Sequence, residues 1–307
     1  MPSLLESLFS FPSAERVPIL ALSGGGGKTT ALFGLADELS ARGARVLVTT
    51  TTRIRDPRAE GRIFDRFVEI PGEYASGGAA AAVPLAAGLA ADPAAPAGRG
   101  PVTVLCAGVE GGKLVGLDPG IFPALAASGL WDTILVEADG ARMRPVKAPA
   151  PYEPVWPAGT TAVLGIVGLD CLGRPQDDRV AHRPELLGAL VGLEPGGTIE
   201  LGHLVSLALH PEGLFRGVPE GARRILVLNK ADLRPDLDPG ALADRTVAGL
   251  AEPGPSAPTP PPGSALRPGP GAPGIDLVLV CSLGDPDPRG RVRAAHKVAG
   301  VFNRREP

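Results

Sequence analysis

The sequence predicts an α/β fold, a mostly parallel, doubly wound sheet with helices on both faces. Three observations predict it. Apolar runs of strand length alternate with segments of helical spacing along most of the chain. The first runs, 17–22 and 45–49, are nearly continuous in apolar residues, as strands buried on both faces are. A cluster of glycines separates the first run from the first helical segment, where such a sheet turns its chain.

Residues 17–22 read as the first strand. Residues 29–41 read as the helix after it, with Leu32, Leu35, Ala36 and Leu39 at helical spacing. The second strand is 45–49. After Arg53 the pattern is lost, and 72–100 is an Ala/Gly/Pro-rich stretch expected as a loosely helical or poorly ordered insertion. Strands are expected at 102–107, 133–136, 161–167 and 225–228, and helices at 121–128, 184–191 and 239–250, with short helices before Arg216. Residues 253–273, rich in Pro, Gly and Ser, read as a linker, followed by a last strand at 275–280 and a closing helix at 291–302. One strand and one helix are too little for a core of their own. The expected organisation is therefore a domain over 1–252, a linker over 253–274, and a C-terminal strand and helix (275–307) docked on the same domain.

Composition narrows the function. The 307 residues carry a net charge of −3 without a block of Lys or Arg, which argues against nucleic acid and against an anionic membrane surface. The longest weakly apolar stretch, 79–91, is mostly Ala and contains Pro84, so no membrane span is expected. The N-terminus lacks a basic region and carries Glu6, unlike a secretory signal. A soluble, cytoplasmic protein is expected. Cys106, Cys171 and Cys281 lie far apart and form no CxxC pair, so each reads as a small buried apolar residue; Cys171 stands out for its Gly- and Asp-rich loop. No His, Cys and carboxylate set has zinc spacing.

The strongest motif is Leu22-Ser23-Gly24-Gly25-Gly26-Gly27-Lys28-Thr29-Thr30. A phosphate chain needs several backbone N–H groups at close range and a cation. Consecutive glycines let the backbone curl inward, and a helix N-terminus adds partial positive charge. Lys28 would reach the β- and γ-phosphates, and the Thr29 hydroxyl would hold Mg²⁺. This is a P-loop, so the expected architecture is the three-layer α/β/α of P-loop NTPases. It is a variant one, because Leu22 stands where the first glycine of the usual motif falls. The bland alternative is a flexible glycine turn beside a chance Lys-Thr.

A second signal is Ile134-Leu135-Val136-Glu137-Ala138-Asp139-Gly140. A strand ending in a carboxylate can bind Mg²⁺ directly or through water, which assigns Glu137 to the metal. Asp139 is a second candidate for metal or for orienting a water, and Gly140 falls where a backbone N–H can approach a γ-phosphate. A third is Asn229-Lys230-Ala231-Asp232 after a strand, similar to the base-recognition motif of GTP-binding proteins. There the Asp carboxylate accepts from guanine N1–H and the 2-amino group, which adenine does not offer. Cys281-Ser282 stands where such proteins contact the guanine oxygen. The alternative is a solvated turn with Asp232 capping the next helix. Thr49-Thr50-Thr51-Thr52-Arg53 ends the second strand, where ligands collect in parallel sheets. Arg142, Arg144 and Lys147 form either a basic loop beside the phosphates or a solvated one. His182 opens a helix and is either a base or a structural residue.

Together, 23–30, 48–53, 136–140 with Lys147-Ala148-Pro149, 180–185 and 228–232 resemble the YqeC-type accessory proteins of selenium-dependent molybdenum hydroxylases. The resemblance spans most of 17–232. It implies a cytoplasmic accessory role in maturing those hydroxylases, with a molybdenum hydroxylase or its maturation factors as partner. The glycine loop is also similar to the signal-recognition, Mrp and biotin-synthesis group of P-loop proteins. Many of these carry a lysine at the place of Ser23 that reaches into a partner subunit, and here that lysine is absent. Two readings stand at this point. One is a P-loop NTPase or kinase-like phosphotransferase using Lys28, Glu137 and Asp139. The other is a nucleotide-gated carrier of selenium or molybdenum cofactor. Both use Mg²⁺ and a nucleoside triphosphate, GTP or ATP.

Overall fold

The computed structural model describes Leu8 and residues 18–70, 98–251, 274–285 and 292–297. The expected linker at 253–273 and the bulk of the expected insertion at 72–100 lie outside these residues. In chain order the main elements are β1 (Ile19–Gly24), α1 (Lys28–Ala41), β2 (Val46–Thr50), β3 (Arg53–Arg55), β4 (Arg66–Glu69), β5 (Val102–Cys106), β6 (Gly108–Glu110), β7 (Lys113–Val115) and α2 (Phe122–Ala127). There follow β8 (Thr133–Glu137), β9 (Val146–Lys147), β10 (Ala162–Gly168), β11 (Ala181–His182), α3 (Pro184–Val191), α4 (Leu201–Leu209), β12 (Arg223–Asn229), α5 (Pro239–Ala251), β13 (Leu277–Cys281) and β14 (Val292–Lys297).

Nine of these strands form one sheet, ordered β14-β13-β12-β10-β1-β8-β2-β5-β4. Every pair is parallel except β13 with β14. The inner strands bury both faces, which is why they read as unbroken apolar runs. Successive residues serve opposite layers. Leu164 and Ile166 of β10 pack with Leu32, Leu35 and Leu39 of α1 on one face. Val163 and Val167 pack with Leu187 of α3, Leu204 of α4 and Leu242 of α5 on the other. Ile134 and Val136 of β8 meet Phe122 and Leu125 of α2 on that second face. The result is the expected three-layer α/β/α arrangement.

The chain's last described segment departs from expectation. Residues 292–297 are a strand, where a helix over 291–302 was expected. Ala294 and Ala295 suit a helix, but β13 offers an unpaired edge, and pairing with it satisfies the backbone groups of both strands. His296 Nδ1 lies 3.1 Å from Asp244 of α5, and Arg293 lies 3.0 Å from Asp285, which fixes the strand at both ends. The unreadable stretch after Arg53 holds β3, which joins β7 and β6 in a separate three-stranded antiparallel sheet, and β4, the edge strand of the main sheet; at three and four residues they are too short to show a period. No helix among the described residues is long and apolar enough to cross a membrane.

Candidate functional site

β1 lies between β8 and β10, with Leu22 opposite Glu137 and Gly24 opposite Ile166. The carboxyl ends of the three strands therefore open on one crevice, at the point where the chain passes to opposite sides of β1. Three segments crowd the glycine turn there. A Cβ on Gly25 would stand 2.6 Å from the Arg144 carbonyl oxygen, and one on Gly24 or Gly26 would run into the backbone of Ile166 or Gly168. Gly24, Gly26 and Gly27 also hold φ of 94°, 73° and 130°, which glycine adopts without strain. The turn is locked by hydrogen bonds from Gly25 N–H to Ile166 O (2.8 Å) and from Gly26 N–H to Arg144 O (2.9 Å).

α1 begins on this turn. Ala31 N–H is bonded to Gly27 O at 2.9 Å, while Lys28, Thr29 and Thr30 have no acceptor four residues back. Lys28 is buried; its Nζ donates to Gly24 O at 2.6 Å and lies 3.2 Å from Asp139 and 3.7 Å from Glu137. Burial alone would depress the Lys28 pKa, but the Asp139 and Glu137 carboxylates outweigh it and hold the ammonium above its ordinary value. Burial pushes Glu137 up, against the pull of Lys28 and of the Thr29 hydroxyl, which donates to Glu137 Oε2 at 3.0 Å.

Asp139 is the centre of the cluster. Its Oδ2 accepts Gly24 N–H at 3.1 Å and lies 3.0 Å from Lys147 Nζ, while its buried Oδ1 faces the Lys28 ammonium at 3.2 Å. Gly140 stands beside open space, since an added Cβ there would meet nothing within 4 Å. The expected basic loop divides in two. Arg142 is exposed, whereas Lys147 is 1% exposed and donates to Gly140 O (2.7 Å) and Glu153 Oε2 (2.8 Å) as well as facing Asp139. Glu153 also accepts from Arg183 at 2.8 Å. Burial would raise Glu153, but Lys147 and Arg183 hold it below the ordinary carboxylate range. Sequence reading missed Glu153 and Arg183; the one available signal was Lys147 standing between Val146 and Ala148 in a short apolar run.

The third motif reaches the same turn from β12. Asn229 Nδ2 donates to Gly26 O at 2.8 Å, and its Oδ1 accepts Leu283 N–H at 2.8 Å, tying the glycine turn to the loop after β13. Lys230 pairs with Asp170 at 2.8 Å. The Asp232 side chain is exposed and its N–H donates to Ser282 Oγ at 3.1 Å. Asp238 caps α5 instead, accepting Ala241 N–H at 2.7 Å.

A family model described as YqeC protein matches residues 20–185. An "Uncharacterized protein YqeC" of Escherichia coli (strain K12) is 33% identical over 218 residues, which span 70% of this chain and 77% of that protein. The chain belongs to the YqeC family. No solved structure matches it. The family match takes in the glycine turn, Glu137, Asp139, Lys147, Glu153 and Arg183, and stops before Asn229.

In this YqeC-family site the threonine run serves mainly the sheet. Thr49, Thr50 and Thr51 donate to the carbonyls of Leu105, Glu137 and Val155 at 2.6, 2.8 and 2.6 Å, and Arg53 pairs with Glu110 at the surface. All three cysteines are buried free thiols. Burial pushes Cys106 up to about 11, Cys171 up to about 12, and Cys281 higher, so none is a thiolate at neutral pH. His182 is half-buried among cations. Burial, then the charges of Arg183, Lys147 and Arg142, push it down from 6.5 to about 4. Between those two values the unfolded chain binds a proton that the folded chain does not, so stability falls as pH drops through that window. His182→Gln is expected to flatten this part of the urea-midpoint profile; an unchanged slope would exonerate His182.

Proposed function

We propose that the chain binds a nucleoside triphosphate with Mg²⁺ at the glycine turn, preferring guanine, as an accessory in maturing selenium-dependent molybdenum hydroxylases. The observation that carries the nucleotide reading is the meeting of Lys28, Thr29 and Glu137 at the start of α1. The residues fit the ion. Two adjacent ligands of an octahedral Mg²⁺, each at about 2.0–2.1 Å from the metal, stand about 3 Å apart. Thr29 Oγ1 and Glu137 Oε2 are 3.0 Å apart. Mg²⁺ at that position would neutralise charge on the phosphate oxygens, and the Thr29 hydroxyl would turn its lone pair to the metal. Lys28 would exchange Asp139 for phosphate, leaving Asp139 paired to Lys147. The first-turn N–H groups of α1 supply the remaining donors.

Guanine preference is supported by Asn229, which joins the glycine turn to the loop carrying Ser282, and by the exposed Asp232 carboxylate on the same wall. The hydroxylase pathway is what the resemblance to YqeC-type accessory proteins implies. Calorimetry with ATP, GTP and CTP, each with and without Mg²⁺, tests the reading. Mg²⁺-dependent binding with GTP tightest is expected, and failure of every triphosphate to bind would overturn it. Asp232→Asn is expected to weaken GTP about tenfold, as lost hydrogen bonds to a charged acceptor do, while ATP stays within about twofold. Equal losses for both would remove Asp232 as a reader of the base.

A further inference from the structure

Between β3 and β4 the chain makes a tight turn that the sequence left unread. Asp56 accepts from Arg58 through both backbone and guanidinium, at 2.7 to 3.0 Å, and the Arg58 guanidinium stacks 3.8 Å from the Phe67 ring centroid. Arg62 N–H closes the turn on Pro57 O at 3.0 Å, with Gly61 at φ 65°. The result is a braced turn that presents Glu60 and Arg62.

Arg62 points at the glycine motif. Its Nη2 lies 3.4 Å from Thr30 Oγ1, and its guanidinium carbon lies 5.8 Å from the centroid of Phe33, which is also on α1. Its Nε is buried without a hydrogen bond, and the Glu60 carboxylate stands 3.7 Å from it. The negative charge of Glu60 is in turn felt at Glu137. The turn therefore overlooks the end of the site where Thr29 meets Glu137. Sheet order places the turn's strand, β4, on the β8-β2-β5 side of β1, and the strands carrying Asn229 and Ser282 on the opposite side. A nucleotide whose base lay toward Asp232 would have its terminal phosphate nearest Arg62.

We propose that Arg62 is a further ligand-binding residue, a second cation that engages the γ-phosphate from the 56–62 turn. This rests on the nucleotide reading above. A planar guanidinium with an unused buried N–H, held by Phe33 and a braced turn, loses little freedom on gripping phosphate oxygens. The Glu60 contact is too long for a hydrogen bond, so a phosphate is the stronger acceptor.

The test is calorimetry with GTP and GDP in Mg²⁺ on the full chain, for wild type, Arg62→Ala, Arg62→Lys and Lys28→Ala. Arg62→Ala is expected to weaken GTP about tenfold and GDP by less than about twofold, the loss of a charge-assisted contact to the terminal phosphate alone. Arg62→Lys, which keeps the charge but not the fork, is expected to recover part of the loss. Unchanged GTP affinity in a folded Arg62→Ala variant, or equal losses for GTP and GDP, would overturn the assignment. If Lys28→Ala abolishes binding while Arg62→Ala does nothing, the nucleotide reading stands and the Arg62 inference alone fails. If wild type binds neither nucleotide, both fail.

Discussion

Lys28→Ala is expected to lower triphosphate affinity by about a hundredfold or more, which corresponds to about 2.7 kcal/mol. Lys28 opens α1 and reaches back over the glycine turn, its Nζ 2.6 Å from Gly24 O. It is already stripped of water, so exchanging a carboxylate for a phosphate costs it little further desolvation. Without it, an incoming phosphate would meet Glu137 and Asp139 with no charge between them, and like charges at close range repel. The variant keeps its fold on physical grounds, because Asp139 retains Lys147 at 3.0 Å and the Gly24 N–H at 3.1 Å. Thermal melting by circular dichroism checks that point, and calorimetry reads the affinity. A folded Lys28→Ala chain that binds triphosphate as tightly as wild type would remove the glycine turn from nucleotide binding.

Local signals made much of the fold and part of the site legible. The strands flanking the turn are buried on both faces, so composition alone marks them, and a glycine run between strand and helix has few other uses. Lys28, Thr29, Glu137 and Asp139 were found because each sits at the carboxyl end of a strand or the first turn of a helix. Lys147 was read only as one of a basic loop, and Glu153 and Arg183 not at all, because what gives them meaning is contact across loops, as of Arg183 with Glu153, 30 residues apart. No period or spacing encodes such a pair. The closing helix expected at 291–302 failed for a similar reason: its alanines carry a local preference, and the free edge of β13 overrides it. Arg62 escaped because the strands on either side of it, three and four residues long, are too short to locate a turn by pattern.

The largest stability effect is expected at Lys147. Its ammonium has three donors and three acceptors in reach, Gly140 O, Glu153 Oε2 and Asp139 Oδ2, and it is 1% exposed. Lys147→Met keeps the stem's volume but leaves the buried Asp139 and the part-buried Glu153 with less compensation. Breaking one side of a buried ionic cluster in this way costs about 3–5 kcal/mol. Urea unfolding measures it, and a loss below about 1 kcal/mol, the range of exposed pairs, would show that the cluster is solvated in solution. The double variant Lys147→Met with Glu153→Gln removes a charge of each sign, so its loss is expected to fall short of the sum of the two single losses. Acid adds an independent reading. Glu153 is held below its ordinary value of 4.5, so its contribution is present above that value and disappears as pH falls through the lower folded value. Removing Lys147 withdraws the main attraction that keeps Glu153 ionised, so the variant is expected to lose less stability than wild type over that acid range. A parallel decline of the two proteins would mean that Arg183 alone holds Glu153, and that Lys147 serves Asp139 and the glycine turn instead.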